Sequence, residues 1–136
     1  ASPERVKSMQ TFGELLGIAF QIKDDLFDYQ LSNKSGKPTG IDIKEQKMTL
    51  PLIYALKQVK RKDRKFIINV VKRHNRNRKK VEEVMAMVRQ SGGIEYAEKR
   101  MFEFHQEAIN LLQPFPEGSA KTALIDLAEY VINRKK

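Results

Sequence analysis

A chain of 136 residues with a net charge of +9 and no cysteine has room for one modest core, and it excludes disulfides and thiolate metal sites. No apolar run approaches the roughly 20 residues of a membrane span, and a cysteine-free soluble chain points to a reducing, cytoplasmic setting. The positive charge is local: Lys57 to Lys80 holds twelve Lys or Arg against the single Asp63, a balance of +11 that leaves −2 for the rest.

Such a cluster can serve nucleic acid or an anionic membrane. Here only Phe66 interleaves with it, and no glycine-rich or zinc-type recognition motif accompanies it. It reads as the solvated surface of short helices and their connection.

In chain order, Ser2-Pro3-Glu4 has the form of an N-cap followed by a first helical turn. With no Met ahead of it, the chain reads as an excised or processed piece. Phe12, Leu15, Ala19, Ile22, Leu26 and Tyr29 recur at helical spacing, which predicts a helix from about residue 3 to 31. Leu16, Phe20 and Phe27 cover a second side, so this helix is apolar around most of its girth and is expected to be buried in a larger assembly.

Residues 32–40 (SNKSGKPTG) form a loop, broken by Pro38 and two glycines. Helix resumes after Asp42, and LPLIYAL, with Pro51 tolerated in a first turn, carries an apolar helix into the basic stretch. Phe66, Ile67, Val70 and Val71 share a face, then Val81, Val84, Met85 and Val88. Gly92-Gly93 closes that helix. A longer one follows with Ile94, Ala97, Met101, Phe104, Ala108 and Leu111 inward, ended by Pro114 and Pro116. The last, capped by Ser119, carries Leu124, Leu127, Ala128 and Val131 to the tail. No period-two pattern appears, so the expected fold is all-α, an antiparallel helical bundle in one domain, 1–136.

The unusual residues are Asp24, Asp25 and Asp28, a DDxxD arrangement inside the most apolar helix. Gly17, Gln21, Asp24 and Asp28 form one polar stripe at spacings of three and four. Two acids a turn apart repel, and burial penalises their charge further, so the arrangement calls for a cation. Carboxylate oxygens suit Mg²⁺, which takes only a carboxylate or two from protein and completes its shell with waters and substrate phosphates. An EF-hand is excluded, because its acids alternate along a non-helical loop. Paired-acid glycosidase chemistry stays open on these residues alone, and a solvent-facing stripe paired with Lys23 is the plain alternative. Lys37, between Gly36 and Pro38, and Lys47 add two ammonium groups beside three acids, a clamp suited to a diphosphate.

FQIKDDLFDY (residues 20–29), followed by GKPTGIDIKEQKMTLPLIYAL, resembles the second aspartate-rich region of the trans-isoprenyl diphosphate synthases, especially the polyprenyl type. GGIEYAEKRM from Gly92 and the closing EYVINRKK resemble that family's C-terminal helices. The resemblance implies the C-terminal part of the isoprenoid synthase fold and a head-to-tail prenyltransferase. In that chemistry Mg²⁺ assists ionisation of an allylic diphosphate, and isopentenyl diphosphate attacks the cation. Carried over by motif position, Asp24 holds a metal ion against the allylic diphosphate, with Asp25 and Asp28 in support. Gln21 assists near the reacting end, and Lys37 and Lys47 bind diphosphate. His105, beside Phe104, is expected to be structural.

Family members also carry a first aspartate-rich motif with nearby arginines on an earlier helix. The resemblance therefore implies that this chain holds half the site and is inactive alone. It implies further a homodimeric parent enzyme with no nucleic-acid partner, whose product length is governed around the first motif. The competing readings are a basic helical nucleic-acid-binding module using Lys57 to Lys80, and a non-catalytic helical domain.

Overall fold

The computed structural model describes residues 2–29 and 40–134. Among them are seven helices and no strand, the expected all-α class: α1 (Pro3–Phe27), α2 (Ile41–Lys44), α3 (Leu50–Gln58), α4 (Arg61–Arg73), α5 (Arg78–Gln90), α6 (Gly93–Leu111) and α7 (Ser119–Asn133). The chain divides into two compact units, one of Ala1–Lys23 with Lys99–Lys136 and the other of Asp24–Glu98. No helix among the described residues is long and apolar enough to cross a membrane.

In the first unit, Ser2 acts as the N-cap its position promised: its Oγ accepts the Arg5 N–H at 3.2 Å, with Pro3 opening the helix. Phe12, Leu16, Ala19 and Ile22 are buried on α1, as are Met101, Ala108, Leu112, Ala128, Val131 and Ile132 on the later segments. Polar side chains finish the unit. Lys121 Nζ donates to the Phe115 carbonyl at 3.1 Å and pairs with Glu117 at 2.8 Å, tying the turn after α6 to the start of α7. Arg134 lies 4.0 Å over the Phe20 ring and donates to the Phe20 carbonyl at 3.2 Å.

The second unit has its own core. Ile43, Leu52, Ala55, Ile67, Val70, Val71, Val81, Val84, Met85 and Val88 cluster with Tyr29, and α3, α4 and α5 pack on one another around them. Burial of each large aliphatic contributes on the order of 2 kcal/mol. Asn77 caps α5 through its side-chain oxygen, which accepts the Lys80 N–H at 3.1 Å. Glycine is required where α6 begins. A Cβ at Gly93 would stand 2.5 Å from the Pro51 carbonyl oxygen, and the nearby Tyr54 and Tyr96 rings stack at 4.3 Å.

The structure corrects several expectations. Helix α1 ends at Phe27, not near 31, and Asp28 and Tyr29 form a turn beyond it; residues 30 and 31 lie outside the described residues. Within this chain Phe20, Gly17 and Gln21 are exposed, while Phe12, Leu16, Ala19 and Ile22 are buried. Helix α3 enters the basic stretch, with Lys57 in its last turn, but goes no further. It stops at Gln58 because Val59 and Lys60 are extended, and Arg64 Nε donates to the freed Leu56 carbonyl at 2.8 Å. Ser119 opens α7 but Gly118 occupies the N-cap position, without a side-chain cap. Leu112, four residues after buried Ala108, is buried in place of half-buried Leu111; on α7, Ala128, Val131 and Ile132 are buried and Leu127 is exposed.

Candidate functional site

The carboxylates gather where α1 stops. Asp24 and Asp25 sit in its last turn, which carries no basic residue, so two acids add to the negative end of the helix. Asp25 and Asp28 are each only 7% exposed, and Asp24 is half-buried. That end of the helix is thus strongly cation-favouring.

Asp28 does structural work. Its Oδ1 accepts the Ile41 N–H at 2.9 Å and its Oδ2 the Asp42 N–H at 3.1 Å, so one carboxylate satisfies two free amides at the start of α2. Gly40, just before them, has φ +65°, and a Cβ there would meet Val81 Cγ1 at 2.8 Å; only glycine fits. Because hydrogen bonds to a charged acceptor are worth about 1.5–3 kcal/mol, Asp28→Ala should destabilise the fold by at least that much. Urea unfolding checks this, and a loss under about 0.5 kcal/mol would contradict the capping role.

Lys47 comes to the same place from just beyond the end of α2. Its Nζ lies 3.7 Å from Asp25 Oδ1, and its backbone N–H donates to the Asp42 carbonyl at 2.8 Å. The segment is clamped by groups distant in sequence. Gln46, at φ +60°, donates through Nε2 to the Val71 and Lys72 carbonyls at 3.2 and 3.0 Å, and Asn75 Nδ2 donates to the Lys44 carbonyl at 2.7 Å. Arg89 Nη2 holds the Tyr29 carbonyl at 2.8 Å.

A fourth acid, Asp42, enters this neighbourhood unannounced by the DDxxD spacing. Its carboxyl is pushed up to about 6, first by burial, then by the charge of Asp28, with Lys47 opposing and Asp25 and Glu45 adding. The Tyr29 phenol is raised well above its ordinary range, chiefly by burial and also by Asp28, Asp42 and Asp25, with the neighbouring Thr49 hydroxyl opposing. Neither hydroxyl completes a hydrogen bond of good geometry.

The folded chain therefore holds the Asp42 proton up to about pH 6, whereas an unfolded aspartate releases it near 3.8. Between those values the folded state binds more protons, so stability falls as pH rises through the window. Asp42→Asn should remove that contribution, seen as a flatter pH dependence of the urea midpoint over the same range. An identical pH profile in the variant would contradict the shift.

Of the residues singled out by sequence, the structure brings together Asp25 and Lys47, and it places Asp24 and Asp28 at the same helix end. Gln21 is an exposed residue of α1, counted with the first unit. Lys37 lies outside the described residues. His105 is buried in the first unit, with Nε2 3.5 Å from Glu129 Oε1. Asp42, Gln46 and Arg89 escaped the sequence reading. For Asp42 the one available signal was the Gly40-Ile41-Asp42 run after the loop.

The model of the polyprenyl synthetase family matches residues 1–88. The chain belongs to that family. It is 34% identical over 136 residues to octaprenyl diphosphate synthase of Escherichia coli, covering 99% of this chain and 42% of that protein. To the short chain isoprenyl diphosphate synthase of Methanothermobacter thermautotrophicus it is 33% identical over 135 residues, or 98% of this chain and 41% of the relative. The crystal structure of geranylgeranyl pyrophosphate synthase from Bacteroides thetaiotaomicron superposes with a TM-score of 0.85 at 34% identity, over 98% of this chain and 44% of that one. As a polyprenyl synthetase family member, the chain spans about two-fifths of the length of these curated relatives.

Whether the residues suit the divalent metal general to the family turns on the donor set. Among the described residues no group of three His, Cys, Asp or Glu side chains forms a ready-made metal cage. Mg²⁺ does not need one, since it is commonly held by one or two carboxylates and completed by substrate phosphates and water. Asp42 is raised first by burial and then by the charges of Asp28 and Asp25, and this local excess of negative charge, with half-buried Asp24 in the last turn of α1, is the environment such an ion neutralises. The residues fit a metal shared with a phosphate ligand.

Proposed function

We propose that this chain supplies the second aspartate-rich half-site of a trans-prenyltransferase, which condenses an allylic diphosphate with isopentenyl diphosphate in the cytoplasm. The observation that carries the reading is the meeting of Lys47 and Asp25 at 3.7 Å beside the acids that end α1. A positive and a negative arm there face one anionic ligand from two sides.

In this reading Asp24 and Asp25 would hold Mg²⁺, and bound metal would supply charge neutralisation to the leaving diphosphate. Asp28 backs them with whatever acceptor capacity its two amide bonds leave, and chiefly fixes α2 so that Lys47 points back toward Asp25. Lys47, exchanging Asp25 for a phosphate oxygen, stabilises charge developing on the leaving group, and Lys37 of the Gly36-Lys37-Pro38 sequence does the same. Gln21 assists near the reacting end. The parent enzyme is a homodimer with no nucleic-acid partner.

The test is a chimera in which residues 1–136 replace the matching segment of E. coli octaprenyl diphosphate synthase. Assayed with farnesyl and isopentenyl diphosphates, it should elongate prenyl chains in a Mg²⁺-dependent manner, while residues 1–136 alone show no turnover. A folded chimera without activity would contradict the reading.

A further inference from the structure

The second unit carries a feature to which the reading above assigns no role. Between α3 and α4 lies a cavity of about 280 Å³, lined almost wholly by apolar side chains: Met48, Leu52 and Leu56 on one side, Ile67, Ile68 and Val71 on the other, with Lys72 at the edge. Met48 and Ile68 remain 50% and 36% exposed.

Helical geometry decides what surrounds this opening. On α4, Ile67, Val70 and Val71 are the buried side, and Arg61, Lys65, Ile68 and Lys72 follow at spacings of four, three and four along the adjoining solvent stripe. An exposed isoleucine thus sits in a row of three exposed cations, next to the cavity. The stripe belongs to the +11 stretch from Lys57 to Lys80, in which every Lys and Arg except half-buried Lys80 is exposed.

We propose that this α3–α4 face docks on an anionic lipid bilayer, with Arg61, Lys65 and Lys72 on headgroup phosphates and Met48 and Ile68 entering the acyl boundary. The apolar face of α4 is taken up by the core, so the surface offered is a stripe of cations flanking exposed aliphatic side chains beside an apolar recess, and each cation near an anionic leaflet adds to affinity. Single-stranded nucleic acid is disfavoured because its binders present aromatic platforms, and the duplex arm below tests double-stranded nucleic acid. The side chains interleaved here are aliphatic, and Phe66 is half-buried.

The experiment is sedimentation of the 136-residue chain with phosphatidylcholine–phosphatidylglycerol vesicles, with pure phosphatidylcholine vesicles and a duplex DNA as the other arms. Binding to the mixed vesicles alone is expected, weakening as salt rises. The triple variant Arg61→Gln, Lys65→Gln, Lys72→Gln should bind about a hundredfold more weakly. Met48→Ser with Ile68→Ser, at exposed positions, should lose about tenfold, with unchanged circular dichroism. Equal binding to neutral vesicles, no binding to anionic ones, tighter binding to DNA than to the mixed vesicles, or full vesicle affinity in the serine variant would each overturn the proposal.

Discussion

Asp24→Ala in the chimeric synthase should lower kcat by about a hundredfold or more, the loss typical of removing one preorganised charge from a charge-stabilising site. Among the three motif acids, Asp24 is the most accessible and Asp28 is committed to the amides of Ile41 and Asp42. The two variants should therefore fail differently. Asp24→Ala leaves the melting temperature close to the parent's and loses rate. Asp28→Ala loses stability, and rate falls with it as Lys47 loses its fixed approach. Steady-state kinetics beside thermal unfolding separates them, because a loss confined to the reacting complex appears in kcat and kcat/KM together. A near-normal rate for a folded Asp24→Ala enzyme would remove Asp24 from the metal shell.

Gly93→Ala is the largest stability change expected from a single methyl group. The new carbon would lie 2.5 Å from the Pro51 carbonyl oxygen and 3.1 Å from Val88 Cγ1. The first contact is with backbone, which has no rotamer to retreat into. Overpacking of this kind costs about 3 kcal/mol, or roughly 10 °C in melting temperature for a chain of this size. Gly13→Ala provides the contrast, since nothing stands within 4 Å of a Cβ there and a helix interior favours alanine. It should gain about 0.5–1 kcal/mol. A loss below about 1 kcal/mol for Gly93→Ala would mean that the start of α6 can shift away from α3.

The two cases show what could be read from sequence. Aliphatic spacing placed Ile67, Val70, Val71, Val81, Val84, Met85 and Val88 inward, and all seven are buried, because a period of 3.6 leaves little choice once one face is covered. Gly92-Gly93 marked a helix boundary correctly, but the close approach to Pro51 depends on packing between helices far apart in sequence. At the site, the DDxxD acids and Lys47 stood out as charged residues within or beside an apolar helix. Their division of labour did not, since Asp28 takes its role from backbone amides 13 and 14 residues away. Asp42 was hidden for the same reason. Its neighbours Asp28 and Asp25 reach it only after the chain has looped back. The basic stretch reads as solvated surface, and every Lys and Arg in it except half-buried Lys80 is exposed; the spacing of Arg61, Lys65, Ile68 and Lys72 is legible in the sequence, whereas the cavity beside Ile68 comes from the packing of α3 and α4.

The most direct measurement of the central claim is an NMR titration of the 136-residue chain with Mg²⁺ and inorganic pyrophosphate, each alone and then together. The two together should shift the resonances of Asp24, Asp25 and Lys47 and raise the melting temperature through mass action, while either alone does much less and Asp24→Ala abolishes the joint effect. Resonances of those three residues that stay unmoved by the combined ligands, or an equal response in Asp24→Ala, would contradict a diphosphate half-site at the end of α1.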